Sequence, residues 1–314
     1  DLIKLAIQQG KHVVTANKAL IAEHGNELIA MAEAAGVQIR YEAAVAGGIP
    51  VIKVLRESLA ANAVTEVAGI INGTGNFILT EMSTKGRAFD DVLSEAQALG
   101  YAEADPTFDI DGTDAAHKLV ILASLAFGIP LSIDAPTKQG IQEVAPEDLE
   151  HAASMGYRVK HLGIARRTEQ GIEMRVHPTL IPERKQIATV DGVLNAVMIS
   201  GDAVGEVVLV GPGAGGAATA SSVCADLVDI ARNPAGLGPA LGVAAVNLQA
   251  PTWVPAEEIA SEWYVRVTAA DQSGVVSDIT QMLASRDISI ESIIEKPSAP
   301  ESEKVAVVLL THVA

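Results

Sequence analysis

The sequence predicts an α/β chain in three successive parts: a stretch of parallel βαβ structure, a larger α+β region on a mixed sheet, and a small β-α-β-β module. Three observations carry this. Strand-like and helix-like apolar periods alternate over residues 1–72. Short β-rich runs separated by turns fill residues 156–210. From Glu262 the pattern becomes one strand, one helix and two strands.

Taken in order, DLIKLAIQQG reads as the end of a helix stopped by Gly10, so the chain is expected to start inside an element. His12–Thr15 reads as a short strand. Leu20–Ala34 reads as a helix with Leu20, Ile21, Leu28, Ile29 and Met31 inward. Gly36 closes it, and Val37–Val45 resumes as strand. Ile49–Ala61 as helix and Val64–Asn72 as buried strand repeat the alternation, which implies more parallel sheet. After the turn INGTGN, helices are expected at about 77–84 and 90–99, then a polar loop with Pro106, then a helix from Thr113 to Phe127 stopped by Gly128. The runs HLGIARR, GIEMRVHPTL, GVLNAVMISG and GEVVLVG make the mixed sheet. A Gly-rich turn and a helix over 219–232 follow, and NPAGLGP (233–239) reads as a boundary. WYVRVTAAD, VVSDITQMLASRD, ISIESIIEKP and KVAVVLLTHVA then give the first two-thirds of a ferredoxin-like βαββαβ module, without its second helix and last strand.

The 314 residues suffice for two or three domains, and 49% hydrophobic with 19% charged residues describes a globular chain with a sizeable core. Aromatics are only 3%, so that core is aliphatic. A net charge of −17 argues against nucleic acid or an anionic membrane as partner. It leaves room for anionic ligands at a lysine cluster or helix N-terminus. The single cysteine, Cys224, excludes an internal disulfide and fits a cytoplasmic protein. The longest apolar run, Leu119–Ile133, falls short of the roughly 20 residues of a membrane span, and Gly128 and Pro130 interrupt it.

Residues 211–216, GPGAGG, match G-x-G-x-x-G between a strand and a helix. A dinucleotide fingerprint would then return to a second parallel strand ending in an acidic residue. Here the helix runs into NPAGLGPALG, so the turn reads as close backbone packing, or as backbone N–H groups meeting a cofactor held by another domain.

The densest chemistry lies in LGYAEADPTFDIDGTDAAHKLVILA (99–123), with Glu103, Asp105, Asp109, Asp111 and Asp114 ahead of Lys118. Asp114 and Lys118 share one face at the start of an apolar helix. On spacing alone they read equally as an ordinary i,i+4 ion pair or as a reactive pair. The carboxylates do not meet the spacing of a calcium loop.

This segment resembles the signature of homoserine dehydrogenase. VVTANKAL (13–20), YEAAVAGGIPVI (41–52), GIINGTGNFIL (69–79) and NAVMISGDAVGEVVLVGPGAGG (195–216) resemble further motifs of that family in the same order. The tail is similar to an ACT domain, a ligand-binding regulatory module, whose usual D-x-P-G-V turn reads DQSGV at 271–275. The resemblance implies a division into the C-terminal half of a Rossmann-type NAD(P)-binding domain (1–41), a catalytic and dimerisation domain (42–235), a linker (236–261) and a partial ACT domain (262–314). The family's nucleotide fingerprint is expected upstream of residue 1.

It implies interconversion of L-homoserine and L-aspartate 4-semialdehyde with NAD or NADP, in threonine, methionine and isoleucine biosynthesis. Lys118 is then the proton acceptor or donor, and Lys18 a second lysine near substrate and nicotinamide. Glu103 and Asp114 bind substrate. Lys18, Gly100, Gly213 and Gly215 meet the cofactor, and Glu42, Val45, Gly47 and Ile49 hold Na⁺ through a carboxylate and backbone carbonyls. A homodimer or higher homo-oligomer and a threonine effector at the ACT module are expected with it. Two readings compete: an inactive fragment or amino-acid-sensing module, against which the intact Glu103, Asp114, Lys118 and Lys18 argue, and an oxidoreductase acting at the acyl end of aspartate semialdehyde. The latter needs a cysteine nucleophile, and Cys224 has no histidine near it in sequence.

Overall fold

The computed structural model describes residues 1–314 apart from Ala235, Leu237, Asp271 and residues 298–303. It divides into two compact units, Asp1–Val254 and Pro255–Ala314.

The first unit begins with α1 (Leu2–Gln8), β1 (Val13–Val14), α2 (Lys18–Ala34) and β2 (Ile39–Arg40). Asn17 starts α2 by accepting the Leu20 N–H on its side chain at 3.0 Å. β1 and β2 pair in parallel, as the βαβ reading requires. The strand expected over 37–45 is reduced to Ile39–Arg40 and gives way to a 3₁₀ turn at Glu42–Ala44. The Glu42 N–H leaves the ladder for the carboxylate of Asp226, a residue far along the chain, at 2.8 Å. The helix expected over 49–61 is α3 (Val51–Lys53) running into a π-helical turn at Val54–Ser58, an irregularity that composition does not signal.

β3 (Val64–Ile70) corrects a larger expectation. It joins a six-stranded sheet, antiparallel to both neighbours, and not the β1–β2 pair. A buried apolar run fits either kind of sheet, so the strand itself did not reveal its partners. Then come α4 (Gly73–Lys85), α5 (Phe89–Ala98), α6 (Thr107–Ile110), α7 (Thr113–Phe127), β4 (Thr137–Lys138) and α8 (Pro146–Ser154). β5 (Tyr157–Arg167), β6 (Ile172–Pro182), β7 (Leu194–Gly201), β8 (Gly205–Pro212) and α9 (Gly216–Arg232) complete the order. The sheet runs β4-β6-β5-β3-β7-β8 and is mixed, because β4 is parallel to β6 while the other pairs are antiparallel.

α7 organises this unit. Its bounds coincide with glycines in the left-handed region, Gly112 (φ 89°) and Gly128 (φ 65°), and the Gly128 N–H returns to the Ser124 carbonyl. Leu119, Ile121 and Leu122 share one core with Val67, Val197 and Ile199 of the sheet and with Ile21, Leu28 and Ile29 of α2. The helix is thus held between sheet and α2. On the opposite sheet face Ala68, Ile70, Leu162, Ile164 and Ala196 pack with Ile187, Ala188 and Val190. Residues 233–254 belong to this unit: Asn233, Gly238 and Ala240 offer carbonyls to Gln38, Arg40 and Tyr41, and Val254 N–H bonds the Ile172 carbonyl.

The second unit contains β9 (Tyr264–Ala270), α10 (Val275–Ala284), β10 (Ile290–Pro297) and β11 (Lys304–Thr311). Its antiparallel sheet has the order β10-β11-β9, and Ile279 of α10 packs on Val305, Val307 and Leu309. Of the expected turn at 271–275, Asp271 lies outside the described residues. Among the described residues no helix is long and apolar enough to cross a membrane.

Candidate active site

The core that pins α7 between α2 and the sheet brings the first turns of the two helices together. Asp114, on the first turn of α7, is 4% exposed. Its Oδ2 accepts from Lys118 Nζ at 2.7 Å, one turn further along, and its Oδ1 lies 3.0 Å from Lys18 Nζ at the start of α2. Lys118 also donates to the Ile71 carbonyl at 2.6 Å, where β3 ends. Three of the four expected catalytic and substrate residues therefore meet, although Lys18 is remote in sequence.

Burial works against the charge of Asp114, but Lys118 and Lys18, with hydrogen bonds from Lys118 and Asn72, hold its carboxyl below the ordinary aspartate range. Asp109 behaves oppositely. Burial raises its carboxyl, a hydrogen bond from Asn72 pulls it back, and the Asp114 charge pushes it up again.

Asn72 and Asp109 were given no role on sequence grounds. Asn72 Nδ2 donates to Asp109 Oδ1 and to Asp114 Oδ2, both at 2.8 Å, while its Oδ1 accepts the Gly75 N–H at 2.7 Å and caps α4. The only sequence signal was an asparagine opening the NGTG turn. Glu103 stands apart: it is exposed, and its carboxylate makes no hydrogen bond or ion pair with a described residue, while its backbone carbonyl accepts from Gln97. Gly100 is left-handed (φ 75°) with open space beside its Cα.

The remaining expected residues form a second locus. Glu42 is buried, and its two carboxylate oxygens accept the Ile52 and Lys53 N–H groups at 2.8 and 2.9 Å. Burial pushes its carboxyl up to about 7, and Asp226 beside it adds to this. In the turn 45–49, Ala46 and Gly47 have positive φ, and the Gly47 carbonyl accepts the Ser222 hydroxyl at 2.7 Å. The Ile49 carbonyl accepts the Val51 N–H at 2.8 Å; Val45 is buried. A Cβ on Gly47 would lie 2.4 Å from the Gly213 carbonyl oxygen, so this turn and the glycine-rich turn touch.

Gly213 in turn leaves its side-chain space to the Asn195 amide, and Gly215 (φ 109°) precedes α9 with open space around it. Among the described residues of the first unit no strand follows this helix, in keeping with the rejection of the G-x-G-x-x-G reading. The donor set suits the two groups the family resemblance implies. Two neighbouring buried carboxylates, Glu42 and Asp226, both pushed up by burial, beside carbonyls of a turn with positive φ, suit a hard monovalent cation. Open N–H groups at the start of a 17-residue helix suit an anionic cofactor group.

Comparison with known proteins gives one answer along the chain. The homoserine dehydrogenase family model matches residues 50–228, the model for the homoserine dehydrogenase NAD-binding domain matches residues 1–42, and the ACT domain model matches residues 263–313. The homoserine dehydrogenase of Pseudomonas aeruginosa is 55% identical over 99% of this chain and 73% of its own length, and that of Neisseria gonorrhoeae 52% identical over 99% and 72%. A crystal structure of a homoserine dehydrogenase from Thiobacillus denitrificans superposes with a TM-score of 0.94 at 54% identity, covering 100% of this chain and 72% of the other. A hyperthermophilic archaeal homoserine dehydrogenase in complex with NADPH gives a TM-score of 0.65 at 34% identity, over 74% of this chain and 67% of the other.

Proposed function

The chain belongs to the homoserine dehydrogenase family of NAD(P)-dependent oxidoreductases, and from that premise we propose which of its residues carry the reaction and what they bind. The meeting of Lys18, Asp114 and Lys118 at the starts of α2 and α7 carries the reading.

The reaction interconverts L-homoserine and L-aspartate 4-semialdehyde. The nicotinamide ring, when bound, accepts or returns the hydride. Lys118 as free amine takes the hydroxyl proton in oxidation, and as ammonium gives it to the aldehyde oxygen in reduction. Asp114 and the Ile71 carbonyl aim the Lys118 nitrogen, since each lies within hydrogen-bond distance of it. Lys18 balances the second oxygen of Asp114 and sits at the cofactor side of the pair. Asp114 and Glu103 receive the substrate ammonium, for which Glu103 brings an uncommitted carboxylate. Gly100, Gly213, Gly215 and Lys18 meet the cofactor, NADP or NAD. Glu42 with the carbonyls of Val45, Gly47 and Ile49 holds Na⁺.

Residues 1–41 complete the nucleotide-binding domain, 42–235 form the catalytic and dimerisation domain, and residues 236–261, of which those up to 254 pack with the first unit, lead to a regulatory ACT module at 262–314 that responds to threonine. A cytoplasmic homodimer or higher homo-oligomer accords with the single exposed cysteine and with the exposed apolar Val210, Leu227 and Val228 on β8 and α9. The test is NADPH oxidation by the intact enzyme with aspartate semialdehyde. Turnover supports the reading; no turnover with either NADPH or NADH contradicts it.

A further inference from the structure

Asn72 is 6% exposed, and both polar atoms of its side chain are engaged, the nitrogen through both hydrogens. The Gly75 N–H can only donate, so the atom facing it at 2.7 Å is the Asn72 oxygen. That fixes the amide nitrogen toward the two carboxylates, and each of its hydrogens meets one of them at 2.8 Å. The opposite orientation would set the oxygen against Asp109 and Asp114 and the nitrogen against an N–H, losing three bonds at once.

The backbone next to this side chain acts on the same group from the other direction. The carbonyl of Ile71, the residue before Asn72, accepts from Lys118 Nζ at 2.6 Å, while Asp114 Oδ2 accepts from both Lys118 and Asn72. One corner of chain, where β3 gives way to α4, thus holds the lysine through a carbonyl and its carboxylate partner through an amide.

We infer that Asn72 is a positioning residue for the reaction: its amide clamps Asp109 and Asp114 side by side and so fixes the carboxylate that aims Lys118. This rests on Asp114 and Lys118 being the reacting pair proposed above. Capping alone does not call for asparagine, because serine and aspartate cap helices about equally well. Only asparagine caps through its oxygen and still has two N–H groups to give. A buried carboxylate and a half-buried one that share one amide repel each other unless donors lie between them, and Lys18, Lys118 and Asn72 are the groups that face them.

The test exploits that separation of roles. Asn72→Ser keeps the cap and loses the clamp. It is expected to leave Tm within a few degrees and lower kcat/KM for homoserine on the order of 10- to 100-fold. It also moves the acid limb of the kcat/KM profile to higher pH, because Asp114, the carboxylate that aims Lys118, loses the Asn72 hydrogen bond that helps hold its carboxyl down. Asn72→Asp keeps the cap but puts a third carboxylate in the cluster, with a loss at least as large and the same direction of shift. If Asn72→Ser does not fold, Asn72→Asp decides by the same readouts. Wild-type kcat/KM and an unmoved acid limb, beside an inactive Lys118→Ala enzyme, overturn the inference and leave the site assignment standing. Ordinary turnover in Lys118→Ala overturns the assignment, and the inference with it.

Discussion

Lys18 Nζ lies 3.0 Å from Asp114 Oδ1, an ion pair that joins the start of α2, beside the parallel β1–β2 pair, to the start of α7 on the six-stranded sheet. The aspartate is nearly buried and the lysine about one-third exposed (33%), so the pair sits at a boundary where a ligand can still reach it. Its Coulomb energy alone is modest at such exposure. Its consequence lies in geometry: it ties a residue of the segment matched by the NAD-binding model to the first turn of α7.

Replacing Lys18 by alanine is therefore expected to lower kcat/KM on the order of 10-fold or more with little change in Tm. Lys18→Arg, which keeps the charge, should recover part of the loss. Steady-state kinetics on both variants check this, and an alanine variant as active as the wild type would remove Lys18 from the site.

The cation site proposed at Glu42 has a pH signature. The Glu42 carboxyl is raised by burial from 4.5 to about 7, so the folded protein takes up a proton there that the unfolded chain does not. Its contribution to stability is fully present below 4.5 and is lost as pH rises through about 7. A cation binding the ionised form opposes that loss. In Na⁺-free choline buffer Tm should fall across this window, and Na⁺ at equal ionic strength should restore Tm most above pH 7 and least near pH 5. Equal Tm values in Na⁺ and choline at pH 8 would count against a sodium site at Glu42.

Gly112 tests how the α7 start is built. It has φ 89°, and a Cβ there would meet Val176 Cγ1 at 3.1 Å and His161 Cε1 at 3.4 Å. Gly112→Ala combines a left-handed alanine, costing about 1–2 kcal/mol, with a tight contact. Thermal unfolding should show Tm lower by several degrees. Activity should fall too, since the first turn of α7 carries Asp114. An unchanged Tm would mean that the glycine is not required by the turn.

How much of this was legible in the sequence follows from which signals are local. The end of α7 was readable because Gly128 stops an apolar period, and Asp114–Lys118 because four residues make about one turn. Lys18 and Glu42 stood out through motif resemblance alone, since their contacts join segments far apart in the chain. The partners of β3 were not legible, because its buried face reads the same in parallel and antiparallel sheets. The π-helical turn at Val54–Ser58 left no mark in composition. Asn72 read as one residue of a turn, although what distinguishes it is two carboxylates brought to it from another segment. Glu103, picked out by resemblance, faces solvent while Asp109, in the same segment, lies in the cluster.

The measurement that bears most directly on the account is the turnover of Lys118→Ala in the intact enzyme, followed in both directions and accompanied by Tm. The account predicts a fall in kcat on the order of 10²-fold or more for homoserine oxidation and for semialdehyde reduction alike, with folding preserved. Near-normal kcat in a folded Lys118→Ala protein would contradict it, because no proton acceptor would then be needed at the start of α7.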